Sequence, residues 1–120
     1  MSGEDQTRSS QERRNRERVS ADKLPKGMQQ FSLDFGGGEV YTGQTIDASL
    51  SSISFRVEVP ANRIREHIVT LVSADKKIKM TQELVYIKPV EAGLSRISFM
   101  LDSDNTPAHY RRQVSRALGG

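Results

Sequence analysis

The sequence predicts an all-β protein in which about six short antiparallel strands form a small closed or partly open barrel, with a flexible N-terminal arm and a C-terminal α-helix. Three observations predict this class. Apolar and polar residues alternate through much of residues 28–102, which is the pattern of strands with one buried face. The apolar spacing becomes helical after residue 102. The first 27 residues show neither pattern and carry a dense run of arginines.

Composition sets the outer limits. A chain of 120 residues accommodates one core. No apolar run approaches the ~18 residues of a membrane-spanning helix, and residues 1–26 contain no apolar signal segment. Because the chain has no cysteine, disulfides and thiolate chemistry are excluded. We therefore expect a cytoplasmic protein without membrane insertion.

The N-terminal arm is predicted from charge. Residues 8–18 hold five arginines against two glutamates and no aliphatic or aromatic side chain, so this segment cannot fold alone. Residues 19–27, with Pro25 and Gly27, are typical of a linker. We predict a disordered tail over residues 1–10 and a single domain over residues 11–118. Its parts are the arginine arm and linker (11–27), the barrel (28–102) and the helix (106–118).

The barrel begins with a predicted hairpin. Phe31, Leu33 and Phe35 share one face of a strand. Gly36–Gly38 then allow a tight reversal, because glycine tolerates positive φ. Residues 39–46 return as the second strand.

Four further strands follow along the chain. Apolar residues alternate over residues 53–59, and Pro60 ends this strand. Residues 67–73 and 77–88 are rich in β-formers and predict a hairpin around Ala74 and Asp75. A last alternating run covers residues 97–101.

The C-terminal segment predicts a helix. Thr106 is positioned to cap it, and Pro107 suits the first helical position. The apolar residues that follow fall on one stripe, which we expect to contact the barrel. They are Tyr110, Val114, Ala117 and Leu118.

Catalytic and metal chemistry find little support. His67 and His109 are far apart in sequence, and no nucleophile, base and orienting acid stand out. The segment from Gly38 to Thr45 has the spacing of a phosphate-binding loop, but Gln44 replaces the lysine that such a loop needs. We therefore expect neither an enzyme nor a metal site.

Two motifs together resemble those of PilZ domains. Arg14 and Arg18 form R-x-x-x-R ahead of the first strand. Asp47-Ala48-Ser49-Leu50-Ser51-Ser52 is similar to D-x-S-x-x-G, with Ser52 replacing the glycine. The order and context of the motifs fit that family over roughly residues 11–118. Its fold is also a six-stranded antiparallel barrel with an arginine-bearing N-terminal loop and a C-terminal helix.

The resemblance implies a receptor or adaptor for cyclic di-GMP, a bacterial second messenger, with no further cofactor. Arginine forks suit phosphate and guanine, so Arg14 and Arg18 are the expected cationic contacts and Arg13 an auxiliary one. Asp47 is expected to accept the guanine N–H groups. Ser49 offers its hydroxyl to a base or to the turn backbone. Ligand binding is expected to order the arm and to signal to a protein effector.

Two alternatives remain open. Ser52 is strained if the family glycine adopts a left-handed conformation; in that case Ser52→Gly would tighten binding. If serine tolerates the turn, ligand binding persists almost unchanged. The first alternative is a domain that has lost its ligand and serves as a protein-interaction module. The basic arm, together with the formal net charge of +3, also allows a small nucleic-acid-binding barrel. A nucleic acid is the less expected partner, because no strand shows an evident aromatic platform.

Overall fold

The structure, a computed structural model, describes residues 16–119; the tail predicted over residues 1–10 lies outside these. Within the described range there are seven strands and one helix of more than three residues. The strands are β1 (Val19–Ser20), β2 (Gln30–Asp34), β3 (Val40–Ala48), β4 (Ser52–Val57), β5 (Ile68–Ser73), β6 (Lys79–Glu91) and β7 (Leu94–Met100), and the helix is α1 (Ala108–Ala117).

Strands β2 to β7 close into an antiparallel barrel. Neighbouring strands pair in the order β3, β2, β5, β6, β7, β4, and β4 returns to β3. Closure pairs the edges that an open sheet would leave exposed. The predicted six-stranded barrel with a C-terminal helix is confirmed. The short β1 is an addition that the sequence did not predict.

Aromatic side chains fill the barrel interior. The rings of Phe31 and Phe55 meet edge to face with centroids 5.3 Å apart, and those of Phe55 and Phe99 lie 5.9 Å apart. Gly43 lies beside them: a Cβ there would fall 2.8 Å from Leu33 Cδ1. Because this interior is filled, functional side chains must lie on the outer surface.

The segment predicted as a linker is part of the folded unit, and that prediction was wrong. Val19 pairs with Ala48 in β3 and is buried. Leu24 is buried as well, and the Gly27 carbonyl accepts a hydrogen bond from the Ala74 N–H at 3.0 Å. The apolar residues Val19 and Leu24 are separated by polar residues and show no periodicity in the sequence. Both nevertheless belong to the core.

The predicted apolar stripe of α1 is confirmed, but its predicted cap is not. Tyr110 and Val114 are buried against the barrel. Thr106 does not cap the helix: its hydroxyl donates to the Asp102 carbonyl at 2.6 Å and accepts from Gln82 Nε2 at 3.1 Å. Pro107 is the N-cap residue with an extended ψ of 147°, not the first helical residue, so α1 begins later than predicted, at Ala108.

Candidate functional site

A bulge in β3 turns Asp47 to the outer surface. Gly43 and Thr45 face the core, so strict alternation would send Asp47 inward as well. The pairing with β4 shifts between Thr45 and Asp47, which leaves Ile46 as an extra residue, and a bulge of this kind re-aims the side chains beyond it. Asp47 consequently lies opposite Ser54, with 19% of its side chain exposed.

Strand β1 brings Arg18 to this carboxylate. Ser20 lies opposite Asp47 in the β1–β3 pair. Arg18 Nη1 donates to Asp47 Oδ1 at 2.7 Å and lies 3.4 Å from Ser54 Oγ. Because both charged side chains are partly exposed, the ion pair contributes about 1 kcal/mol or less. A ligand can therefore replace it at small cost.

A second guanidinium approaches the same carboxylate from β7. Arg96 Nη2 lies 3.6 Å from Asp47 Oδ2, so Asp47 lies between two arginines. A carboxylate has about four lone-pair sites, and these two contacts leave some of them for a ligand. The site thus presents an acceptor flanked by cationic donors.

Hydroxyl groups extend the site across the barrel wall. Ser54 lies opposite Ser98 of β7, with 2.7 Å between their oxygens. Tyr86 of β6 pairs with Ser98 on the side away from Ser54, and it is 46% exposed. The β6–β7 register shifts between Leu84 and Tyr86. This irregularity turns Tyr86 to the outer surface, in the same way that the β3 bulge turns Asp47. The row formed by Asp47, Ser54, Ser98 and Tyr86 is named the polar row.

The polar row borders a groove of about 930 Å³, within the usual range of roughly 300–1,000 Å³ for small-molecule sites. This arginine groove is lined by Arg16, Arg18, Ser51, Ser52, Ser54, Val85, Tyr86, Arg96, Ser98, Phe99, Met100 and Leu101. Asp47 lies at its margin, paired with two of the lining arginines. Exposed Val85 and Met100 add an apolar side that suits a nucleobase face.

Ser49 holds the turn between β3 and β4. It is fully buried, and its Oγ accepts hydrogen bonds from the N–H groups of Ser51 at 3.1 Å and Ser52 at 2.9 Å. Of the two roles that the sequence left open, the backbone contact is the one that the structure contains. Leaving a buried N–H without its acceptor costs about 1–3 kcal/mol, so this hydroxyl stabilises the turn beside Asp47.

Tyr110 of α1 supports the same turn from inside. Its hydroxyl donates to the Ser49 carbonyl at 2.7 Å and lies 3.3 Å from the Ser52 carbonyl. Burial raises the pKa of Tyr110, the Asp47 carboxylate raises it further, and the Arg18 guanidinium opposes them. The helix and the candidate site therefore share one buried hydrogen bond.

We expect Tyr110→Phe to lower the free energy of unfolding by about 1–2 kcal/mol, because it removes this bond and leaves a buried carbonyl without its donor. The folded-state pKa is raised, so the contribution is present below the unfolded tyrosine pKa of about 10 and is lost as pH rises above it. Denaturant unfolding of both proteins from pH 7 to 11 measures this. A difference that does not shrink at alkaline pH would contradict the assignment.

Ser52 is not strained, so of the two possibilities that the sequence left open, serine tolerates the turn. It is the first residue of β4, and Lys76 is the one non-glycine residue with positive φ in the described range. The Ser52 Oγ lies 3.0 Å from the Ser49 Oγ. Serine therefore fits the backbone at this position.

We expect Ser52→Gly to lower the free energy of unfolding by about 0.5–1 kcal/mol, because glycine is more flexible in a strand. We expect no gain in affinity for cyclic di-GMP, since there is no backbone strain to relieve. Calorimetric titration alongside denaturant unfolding checks both values. A tenfold tighter complex would contradict this interpretation.

The structure brings some of the predicted site residues together. The arginine groove is lined by Arg18 and Ser52 and has Asp47 at its margin. Ser49 is buried in the turn between β3 and β4 that leads to this groove. Arg13 and Arg14 lie outside the described residues. Sequence reasoning missed Arg96: its alternation with the buried neighbours Ser95 and Ile97 indicates an outward side chain, but only strand pairing places it near Asp47.

Other chemistry is sparse in residues 16–119. No group of three metal-ligating side chains occurs there, and no helix of that range has the length and apolarity to cross a membrane. Another depression, of about 820 Å³, lies by the β2–β3 turn. It mixes Glu39 and Glu66 with Arg63 and Arg65, so it favours an anionic ligand less than the arginine groove does.

Comparisons with known proteins identify the fold. No protein-family model and no curated protein matches the chain. The crystal structure of the Borreliella burgdorferi PlzA protein in complex with c-di-GMP is similar, with a TM-score of 0.63 and 14% sequence identity. The match covers 93% of this chain and 43% of that chain, so this chain spans less than half of PlzA. At this identity the likeness shows that the two proteins share a fold.

Proposed function

We propose that this chain is a cytoplasmic cyclic di-GMP-binding receptor or adaptor domain that signals to a protein effector and performs no catalysis. One observation carries the proposal: the β3 bulge places the Asp47 carboxylate outward between Arg18 and Arg96, beside a groove of ligand size. The similar PlzA structure was crystallised with c-di-GMP, which supports this choice among anionic ligands.

The ligand chemistry matches the site. Cyclic di-GMP carries two phosphodiester anions and two guanines. The N1–H and N2–H₂ groups of a guanine are adjacent donors, and an ionised carboxylate is the matching acceptor. Arginine binds phosphate bidentately or reaches the guanine O6 and N7 acceptors. We assign the guanine donor edge to Asp47, and the phosphate and acceptor groups to the arginines.

The remaining predicted residues take supporting roles. Ser49 positions Asp47 through the turn, and Ser52 borders the groove. Arg14 lies four residues before Arg18, within about 14 Å of extended chain, so its guanidinium can reach a phosphate bound beside Arg18. Arg13 is assigned an auxiliary phosphate contact.

We assign the conformational signal to the arm ahead of β1. Arg18 already contacts the barrel in the ligand-free protein, so ligand contacts to Arg13 and Arg14 would fix the preceding residues across the groove. Coupled ordering consumes about 2–5 kcal/mol of interaction energy, which several charge-assisted contacts together can supply. The covered groove would then present a new surface to an effector.

Calorimetric titration of the full chain with cyclic di-GMP tests the proposal. We expect saturable binding in the micromolar range and much weaker binding of cyclic di-AMP, because adenine lacks the N1–H and N2–H₂ donors. Oligonucleotide binding with a steep salt dependence, without cyclic di-GMP binding, would instead indicate a nucleic-acid-binding barrel. Binding to neither would indicate a protein-interaction module.

A further inference from the structure

A second row of outward side chains lies next to the polar row. Gln44 of β3 lies opposite Arg56 of β4, Arg56 lies opposite Arg96 of β7, and Arg96 lies opposite Lys88 of β6. Three of these four neighbouring positions are therefore cationic. We name this set the cationic row.

The cationic row is electrostatically unfavourable in the ligand-free protein. Like charges directly opposite each other on paired strands destabilise a sheet. Among the strand pairs of residues 16–119, the two like-charged cross-strand pairs are Arg56 with Arg96 and Arg96 with Lys88. Both include Arg96, so the repulsion is concentrated at one place.

Compensation within the row is incomplete. Arg96 has Asp47 Oδ2 at 3.6 Å. The side chains of Arg56 and Lys88 are exposed and make no hydrogen bond or ion pair with any residue of the described range. An anion that contacted all three cations would relieve the repulsion and use their free donors.

The row also has a concave surface. Gln44, Arg56, Lys88 and Arg96 line a groove of about 620 Å³, with Pro89 and half-exposed Val90 as apolar neighbours. Arg96 lines the arginine groove as well, so the two grooves share this residue. A cluster of solvated charges does not require a concave surface, whereas small-molecule binding sites are concave.

We propose that the cationic row is a phosphate-binding site that adjoins the arginine groove and shares Arg96 with it. Arg56 and Arg96 supply planar forks for phosphate oxygens, Lys88 supplies an ammonium, and the Gln44 amide supplies a neutral donor. The phosphate belongs either to a free phosphate-bearing ligand or to a phosphodiester of the dinucleotide in the arginine groove. The second source rests on the proposed function; the first does not.

Titration of the isotope-labelled full chain with inorganic pyrophosphate, followed by backbone amide NMR, tests the site. We expect saturable shifts at the row residues in β4, β6 and β7. The Arg56→Gln/Lys88→Gln variant should bind pyrophosphate at least about tenfold more weakly, because it removes two charge-assisted contacts. Arg111→Gln/Arg112→Gln, which removes the same charge from exposed positions of α1, should leave affinity unchanged.

The Tm distinguishes relief of repulsion from a simple loss of contacts, because the loss of stabilising contacts would lower it. Without phosphate and at low salt, Arg56→Gln/Lys88→Gln should raise the Tm, because cross-strand repulsion is relieved. Excess pyrophosphate should raise the Tm of the parent protein more than that of this variant.

Two further titrations identify the source. A tenfold loss of cyclic di-GMP affinity in Arg56→Gln/Lys88→Gln would assign the row to the dinucleotide. Unchanged cyclic di-GMP affinity, with pyrophosphate binding retained in Asp47→Asn, would assign it to a free ligand. Equal pyrophosphate binding in both double variants, or binding of oligonucleotides alone, would overturn the site. Failure of the protein to bind cyclic di-GMP would overturn the proposed function but not the pyrophosphate result.

Discussion

Asp47→Asn is expected to weaken cyclic di-GMP binding about 100-fold, as measured by calorimetric titration. The substitution keeps the size of the side chain but replaces one acceptor oxygen with an NH₂ group, which meets the guanine N–H donors donor to donor. It also removes the charge that holds Arg18 and Arg96 at the site. Both effects act in the same direction on affinity.

Glu58→Gln is the matched control, because it also neutralises one exposed carboxylate but lies beyond the end of β4. It should bind cyclic di-GMP as the parent does. Unchanged affinity in Asp47→Asn, with both variants folded by circular dichroism, would exclude Asp47 from guanine recognition.

Arg14→Ala and Arg18→Ala are each expected to reduce cyclic di-GMP binding to the limit of detection. A charge-assisted hydrogen bond contributes about 1.5–3 kcal/mol, and a bidentate contact provides two of them. Among the described residues, Arg18→Ala additionally leaves Asp47 with Arg96 as its remaining ion-pair partner, at 3.6 Å. A micromolar complex retains no measurable heat after a loss of this size.

Conservative substitution separates geometry from charge. Arg18→Lys keeps the positive charge but cannot form a fork, so we expect weakened binding rather than full recovery. Arg112→Ala on the exposed side of α1 is the control for loss of an arginine. Parent-like binding by Arg18→Ala would show that the ligand does not use the Arg18 side chain.

The regular strands were predictable because their alternation is strict. Phe31, Leu33 and Phe35 each face the core, and the hairpin turn falls at the glycines that have positive φ. The two-residue β1 was not predictable. Its position depends on pairing with β3, whose partner residues are 27 and 29 positions away, and a single apolar side chain at Val19 carries no period.

The candidate site depends on irregularities that alternation hides. Counting by twos from Thr45 places Asp47 in the core, and only the bulge at Ile46 reverses it. The motif resemblance identified Asp47 without this geometry. Arg96 belongs to no motif. Its position beside Asp47, which is 49 positions away in sequence, follows from the β3–β4 and β4–β7 pairings taken together.

A crystal structure of this chain with cyclic di-GMP tests the central claim most directly. The account predicts a guanine whose N1 lies about 2.7–3.2 Å from an Asp47 carboxylate oxygen, with the Arg18 guanidinium on a phosphate or on the guanine acceptor edge. A ligand bound elsewhere, with Asp47 still paired only to Arg18 and Arg96, would contradict it.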